Sequence, residues 1–212
     1  MCVNHAGCRR MEKVDHKKIL KEFYKPSSKK PSEVDVPEMN FLMIDGKGDP
    51  NTAQEYQDAL EALYATSYTL KFKLKKAKAA DFTVMPLEGL WWIEGAESFD
   101  FNSKDEWFWT SMIMQPEPVS RNDVIEAISE TKEKKDPPAL QKIKFESFRE
   151  GYSVQIMHIG PWSEEQPTIE TLHSYAEEQG FKLRGQHHEI YLSDPRRTAP
   201  EKLKTVIRQP VA

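Results

Sequence analysis

EVDVPEMNFLMIDGKGDP, residues Glu33–Pro50, has a counterpart more than a hundred positions later in IKFESFREGYSVQIMHIGPW, residues Ile143–Trp162. The first stretch reads as two short strand-like runs, Glu33–Val36 and Asn40–Ile44, joined by a tight Pro-containing turn. The second repeats the pattern, with Glu150 and Gly151 as its turn. Each leads through Gly or Pro into an amphipathic helix. Tyr56, Ala59, Leu60 and Leu63 share a face of the first helix; Ile169, Leu172, His173 and Ala176 share a face of the second. Asn51 or Thr52 is placed to cap the first, and Ser163 or Thr168 the second. The two stretches also finish alike, with MIMQP at Met112–Pro116 and VIRQP at Val206–Pro210, and GLWWIEG stands where HEIYLSD stands later.

The pattern predicts a duplicated β-β-α-β-β unit. Two such units pair into antiparallel sheets with helices packed behind them, an α+β architecture with a ligand groove between the halves. The first repeat covers about 34–116, a connecting helix about 117–138, and the second repeat about 139–212. Residues 1–33 are Lys-rich and polar and read as a flexible N-terminal extension. SYTLKFKLKKA alternates as a strand would, but Leu60, Leu63, Ser67, Leu70 and Leu74 also keep heptad spacing. No Gly or Pro interrupts Ala53–Ala80, which favours one long helix. Ser120–Lys135 reads as a further helix, opened by Ser120 and Asp123 and closed by DPP.

Composition narrows the function. The 212 residues carry a net charge of −4 with 38% hydrophobic and 30% charged positions, ordinary for a globular protein and unlike a nucleic-acid-binding domain. No apolar run is long enough to span a bilayer, and no apolar segment follows Arg9 and Arg10. Cys2 and Cys8 are the only cysteines, so the body of the chain holds no disulfide, which suits the cytoplasm. Cys2, His5 and Cys8 with His16 match none of the usual zinc spacings, and no metal or other cofactor is expected. There is no P-loop, dinucleotide fingerprint, Ser-His-Asp signature or HExxH, and DGKGD reads only as a turn.

Chemistry concentrates near the end of the chain. From His187 to Leu192 the residues alternate, putting His187, Glu189 and Tyr191 on one strand face and His188, Ile190 and Leu192 on the other. Trp91, Trp92, Trp107 and Trp109 crowd the last two strand regions of the first repeat, and Trp162 follows in the second. So many indoles in one stretch are hard to bury together, because each N–H needs a partner, so some should wall a pocket.

EALYATSYTLKF, PLEGLWW, VQIMHIGPWS, HHEIYLSDPRR and EKLKTVIRQP resemble the stand-alone GyrI-like small-molecule-binding proteins, over about Val34–Pro210. The resemblance implies two SHS2-type modules and an inter-repeat groove for flat, hydrophobic, often cationic compounds. It carries an acidic groove residue over to Glu189. In some members that carboxylate serves hydrolysis of cyclopropylpyrroloindole-type genotoxins. On that reading Glu189 is the general base. Tyr68, in the matching SYTLKF motif, donates to the ligand carbonyl, with Tyr191 as the second choice. Trp91, Trp92 and Trp109 are the expected aromatic walls, although alternation keeps Trp91 and Trp92 from facing the same way; His158 and Met112 complete the expected ligand-binding set.

The alternative is a non-enzymatic multidrug-binding or sequestering module with the same residues. Related regulators place a DNA-binding module first, but the short polar stretch here is no helix-turn-helix domain, so the expected partner is a small aromatic ligand and not nucleic acid or membrane. Haem proteins of the SOUL type share the broad fold, and His158, His187 and His188 supply possible axial ligands. Histidines in such strand positions are more often hydrogen-bonded residues, and haem is not expected. Sequence alone sets no oligomeric state.

Overall fold

In a computed structural model of the protein, residues 12–95 and 103–212 are described. Two short helices, α1 (His16–Ile19) and α2 (Lys21–Tyr24), precede strand β1 (Ser32–Lys47). Helix α3 (Gln54–Lys76), strands β2 (Leu87–Ile93) and β3 (Trp107–Gln115) and helix α4 (Arg121–Lys134) follow. The second half runs β4 (Lys144–Ile159), α5 (Gln166–Glu178), β5 (His187–Tyr191) and β6 (Lys204–Pro210). The architecture is α+β, and the sheet is antiparallel throughout. Its six strands close on themselves in the order β1-β3-β2-β5-β6-β4.

Each half therefore reads strand, helix, strand, strand, and not β-β-α-β-β. The two runs expected on either side of a turn are one 16-residue strand in each case. The reason is long-range pairing. β1 and β4 run against each other from Ser32↔Gln155 to Met43↔Lys144, with Val36↔Gly151 and Glu38↔Arg149 flanking Pro37. Proline cannot donate to a ladder, so it is tolerated where the pairing lapses for one residue. Gly151 opposite adopts φ of 76°, a conformation open to glycine. The Pro and Gly that look like turn residues mark a local break in a ladder, and the chain does not reverse there.

SYTLKFKLKKA lies within α3, as its unbroken stretch favours, with Leu63, Ser67, Leu70 and Leu74 buried. The caps differ from expectation in two of three helices. α4 has the predicted capping box between Ser120 and Asp123. α3 starts from Ala53 without a side-chain cap, because Asp49 takes up the amide and side chain of Asn51 and its carbonyl accepts the Ala53 N–H. At α5 the cap position belongs to Glu165, with Thr168 already inside the first turn.

The stretch read as a flexible extension is packed from Val14 onward. Val14 bridges to Phe82, and His16 lies edge-on against the same ring. Tyr24 is buried, and its hydroxyl donates to Glu88 Oε1 at 2.7 Å. Arg208 Nη2 donates to the Phe23 carbonyl and Gln155 Nε2 to that of Glu22, at 2.6 and 2.8 Å. Buried polar groups must find partners, and here the N-terminal segment supplies them, a demand invisible in local composition. Cys2, His5 and Cys8 lie outside the described residues. No helix among the described residues is long and apolar enough to cross a membrane.

Candidate functional site

Strand register decides which side chains meet. Gly89 lies opposite Glu189, Trp91 opposite His187, Ser111 opposite Gly89, and Trp109 opposite Trp91. On β6, Thr205 faces Tyr191 and Ile207 faces Glu189. Residues opposite one another share a face of the sheet. One face of β3-β2-β5-β6 therefore carries Trp109, Ser111, Gly89, Trp91, His187, Glu189, Tyr191 and Thr205. α3 rests on this face through Tyr56, whose ring sits 5.1 Å from that of Trp109 and 5.8 Å from that of Trp91. α5 packs on the β4-β6 side, where Ile169, Leu172 and Ala176 join Val154, Ile156 and Ile207. Glu189 lies on the sheet between the two helices.

Its carboxylate is held at both oxygens. His187 Nε2 is 3.1 Å from Oε1, and the Tyr191 hydroxyl donates to Oε2 at 2.7 Å. Burial works to raise the Glu189 carboxyl, but the contacts from His187 and Tyr191 outweigh it and keep the group below the ordinary carboxylate range. About 15% of the side chain remains open to solvent. The result is an ionised, nearly desolvated, fixed base.

Two indoles floor the region because two glycines let them lie flat. A Cβ on Gly46 would meet Trp109 Cζ2 at 2.2 Å, and one on Gly89 would meet Trp91 Nε1 at 2.7 Å. Neither indole N–H has a hydrogen-bond partner among the described residues. Burying such a donor without a partner costs about 1–3 kcal/mol, so each N–H is a buried donor that an acceptor could reach only if the packing around it opened. Trp162, 45% exposed, stands edge-on to Tyr191 at 5.7 Å and forms the outer wall on the α5 side.

A second carboxyl, Glu165, completes the cluster. It is 4% exposed, lies beside Thr205, and has Oε1 without a partner. Burial and the negative charge of Glu189 push it up to about 9. It is therefore protonated at neutral pH while Glu189 is not. Unequal environments give two carboxyls opposite charge states, the arrangement on which acid–base pairs are built.

A family model for the GyrI-like small molecule binding domain matches residues 29–212. The chain belongs to this family. An uncharacterized conserved protein from Listeria innocua shares 45% identity with it, covering 94% of this chain and all of the other, at a TM-score of 0.87. A structure described as a hydrolase encoded by lin2189 from Listeria innocua shares 44% identity over 95% of this chain and all of its own, at a TM-score of 0.84. The EcmrR C-terminal domain, at 13% identity and a TM-score of 0.54 over 86% of this chain and 97% of its own, shares the fold. No curated protein matches the chain.

Against this GyrI-like frame the expected residues separate into groups. Glu189, Tyr191, Trp91 and Trp109 come together. Tyr68 lies elsewhere on α3, 46% exposed and stacked on Phe72, while Tyr56 occupies the position beside Tyr191 and Ser111. His158 shares the face through its partner Thr205 but is engaged beneath α5, with Nδ1 2.9 Å from Thr168 Oγ1. Trp92 and Met112 do not join the cluster. Trp92 points to the opposite face and stacks on Phe108, and Met112 lies opposite Glu88 on that same far side. Crowding did not force the indoles into the open, since Trp91, Trp107 and Trp109 are all buried. All three histidines weighed as haem ligands are engaged by protein groups: His158 by Thr168, His187 by Glu189, and His188 by Glu88 and Glu150.

Tyr56 and Glu165 escaped the sequence reading. Tyr56 was assigned to a helix face, and only the register of β2 and β3 reveals what that face covers. Glu165 sits in SEEQP, which reads as capping material. Nothing in the local sequence distinguishes it from its exposed neighbour Glu164.

Proposed function

We propose that the protein binds flat, hydrophobic, aromatic compounds between α3 and α5 and hydrolyses cyclopropane-containing genotoxins of the cyclopropylpyrroloindole type. Glu189 acts as the general base. The observation that carries this reading is its fixed carboxylate, held ionised by His187 and Tyr191 beside two indoles with unspent N–H groups. A base near 3 Å from an attacking water contributes about 10²–10⁴-fold. Tyr191 positions the base, since its hydroxyl is committed to Glu189. Tyr68 serves as a ligand contact farther along α3, and Trp91, Trp109 and Trp162 clasp the aromatic body.

Two neighbours above 40% identity that are described as hydrolases support an enzymatic reading. The repeated β-α-β-β order supports reading the halves as copies of one SHS2-type module. The role that follows is detoxification in the cytoplasm.

The deciding experiment is mass-spectrometric detection of water addition to a duocarmycin-type cyclopropane compound, with wild type and Glu189→Gln compared. Turnover in the wild type and a loss of about 10²–10⁴-fold in the variant are expected. Protection that stops at one equivalent of compound per protein would replace the hydrolase with a sequestering module. Equal turnover in both proteins would remove Glu189 from the mechanism.

A further inference from the structure

Glu165 occupies the N-cap position of α5 yet makes no capping hydrogen bond. A glutamate at a helix start ordinarily stays in water, ionised and attracted by the helix dipole. This one is turned inward and buried, with one oxygen lacking a partner among the described residues. It lies beside Thr205, which faces Tyr191 across the β5–β6 pair, two residues along the same strand face from Glu189. The groups around it are Glu189 and Tyr191 from β5 and Thr205 from β6, with His158 of β4 opposite Thr205. Only one of two neighbouring buried carboxyls can ionise cheaply. Glu189 has His187 and Tyr191 to hold its charge. Glu165 has only the Thr205 hydroxyl beside it, and burial together with the negative charge of Glu189 pushes its carboxyl up to about 9.

Hydrolytic opening of a strained ring conjugated to a carbonyl needs two proton movements. One leaves the attacking water, and one arrives at the oxygen that gains the electron pair. The Tyr191 hydroxyl is committed to Glu189. Indole N–H groups such as those of Trp91 and Trp109 can donate hydrogen bonds but do not give up a proton at neutral pH. Resting on the hydrolytic reading above, we propose that Glu165 is the catalytic acid of this site. Water bonds through oxygen to the ring carbon while Glu189 takes its proton. The ring C–C bond breaks, and its electron pair moves through the conjugated system to the carbonyl oxygen. That oxygen takes the proton of Glu165. Exchange with solvent then moves a proton from Glu189 back to Glu165, so substrate plus one water gives the ring-opened alcohol.

The test measures steady-state kinetics of water addition to the same duocarmycin-type compound by wild type, Glu165→Gln and Glu165→Asp, from pH 6 to 10. Infrared difference spectra record the protonated-carboxyl band of each protein. Glu165→Gln should lower kcat by about 10²–10⁴-fold with KM little changed. It should also abolish the fall in wild-type activity as pH rises through about 9, and Glu165→Asp should recover part of the rate. The wild-type infrared band should be present at pH 7, vanish above pH 9 and be missing from Glu165→Gln. Wild-type turnover matched by Glu165→Gln, or a wild type without the band, overturns the assignment of Glu165 and leaves the hydrolytic reading standing. A wild type without turnover overturns both.

Discussion

Glu150 and His188 meet at 3.0 Å on the sheet face opposite Glu189, and each is nearly inaccessible to water. The contact belongs to a chain of buried charges. His188 Nε2 reaches Glu88 Oε2 at 3.0 Å, and Arg208 Nη1 reaches Glu150 Oε2 at 2.9 Å. Two carboxylates, one imidazolium and one guanidinium balance one another. Burial opposes the charges of Glu150 and His188, but their partners prevail, holding Glu150 down at about 2 and His188 up at about 9. These signs fix the pH dependence. Glu150 contributes stability present above its unfolded value of 4.5, lost as pH falls through about 2. His188 contributes stability present below its unfolded value of 6.5, lost as pH rises through about 9. The melting temperature should therefore be highest between about pH 4.5 and 6.5 and decline on both sides. Glu150→Ala should cost about 3–5 kcal/mol by leaving the Arg208 guanidinium buried without a carboxylate and His188 with Glu88 alone, and denaturant titration at pH 6 measures it.

Tyr24→Phe tests whether the N-terminal segment is part of the folded body. The substitution keeps the ring and removes the donor to Glu88 Oε1. A buried carboxylate oxygen left without its donor should cost about 1–3 kcal/mol. Urea unfolding that shows no change would mean the hydroxyl contributes nothing to docking the segment.

Gly46→Ala should destabilise strongly for its size. The added methyl would press on Trp109, which is fully buried and pinned by Tyr56. Overpacking of this kind costs about 1–3 kcal/mol, and the upper end is expected here because the collision is with a rigid ring. Gly89→Ala strikes Trp91 in the same way, but beside Glu189. Its larger effect is expected on turnover, so melting temperature and rate should separate the two variants.

Fluorescence can locate the ligand. Trp91 and Trp109 are buried, whereas Trp162 is open beside Tyr191. A flat aromatic ligand should quench emission and shift its exposed component to shorter wavelength. Trp162→Phe should remove most of that shift and weaken binding, with the smaller ring keeping part of the contact. A full shift in the variant would put the ligand away from the α5 side.

The face of β5 was legible in the sequence because alternation is a local property: His187, Glu189 and Tyr191 do share one side. α3 was legible for a similar reason, since an uninterrupted stretch resolves the strand–helix ambiguity of SYTLKFKLKKA. What escaped depends on partners far away in the chain. Whether Met112 points with Glu189 or away from it follows from pairing with Glu88, and no local pattern encodes that register. Pro37 and Gly151 look like turn residues until they are found on paired strands. DGKGD looked like a simple turn, yet Gly46 is a strand residue whose missing side chain makes room for Trp109. Tyr24 looked like part of a polar tail because its partner, Glu88, lies 64 positions away.

The ring of strands also bears on how the protein meets others. An open sheet ends in two strands whose unpaired amides and carbonyls can template another chain, a common start to aggregation. Here each of the six strands pairs along at least part of both sides. A second copy cannot extend the sheet at an outermost strand, because the ring has none. Growth by strand addition along the doubly paired stretches would first require an existing pair to part. Among the described residues, the edges open to self-association are β1 before Asn40 on its β3 side and β4 before Ser153 on its β6 side, together with the helices and loops.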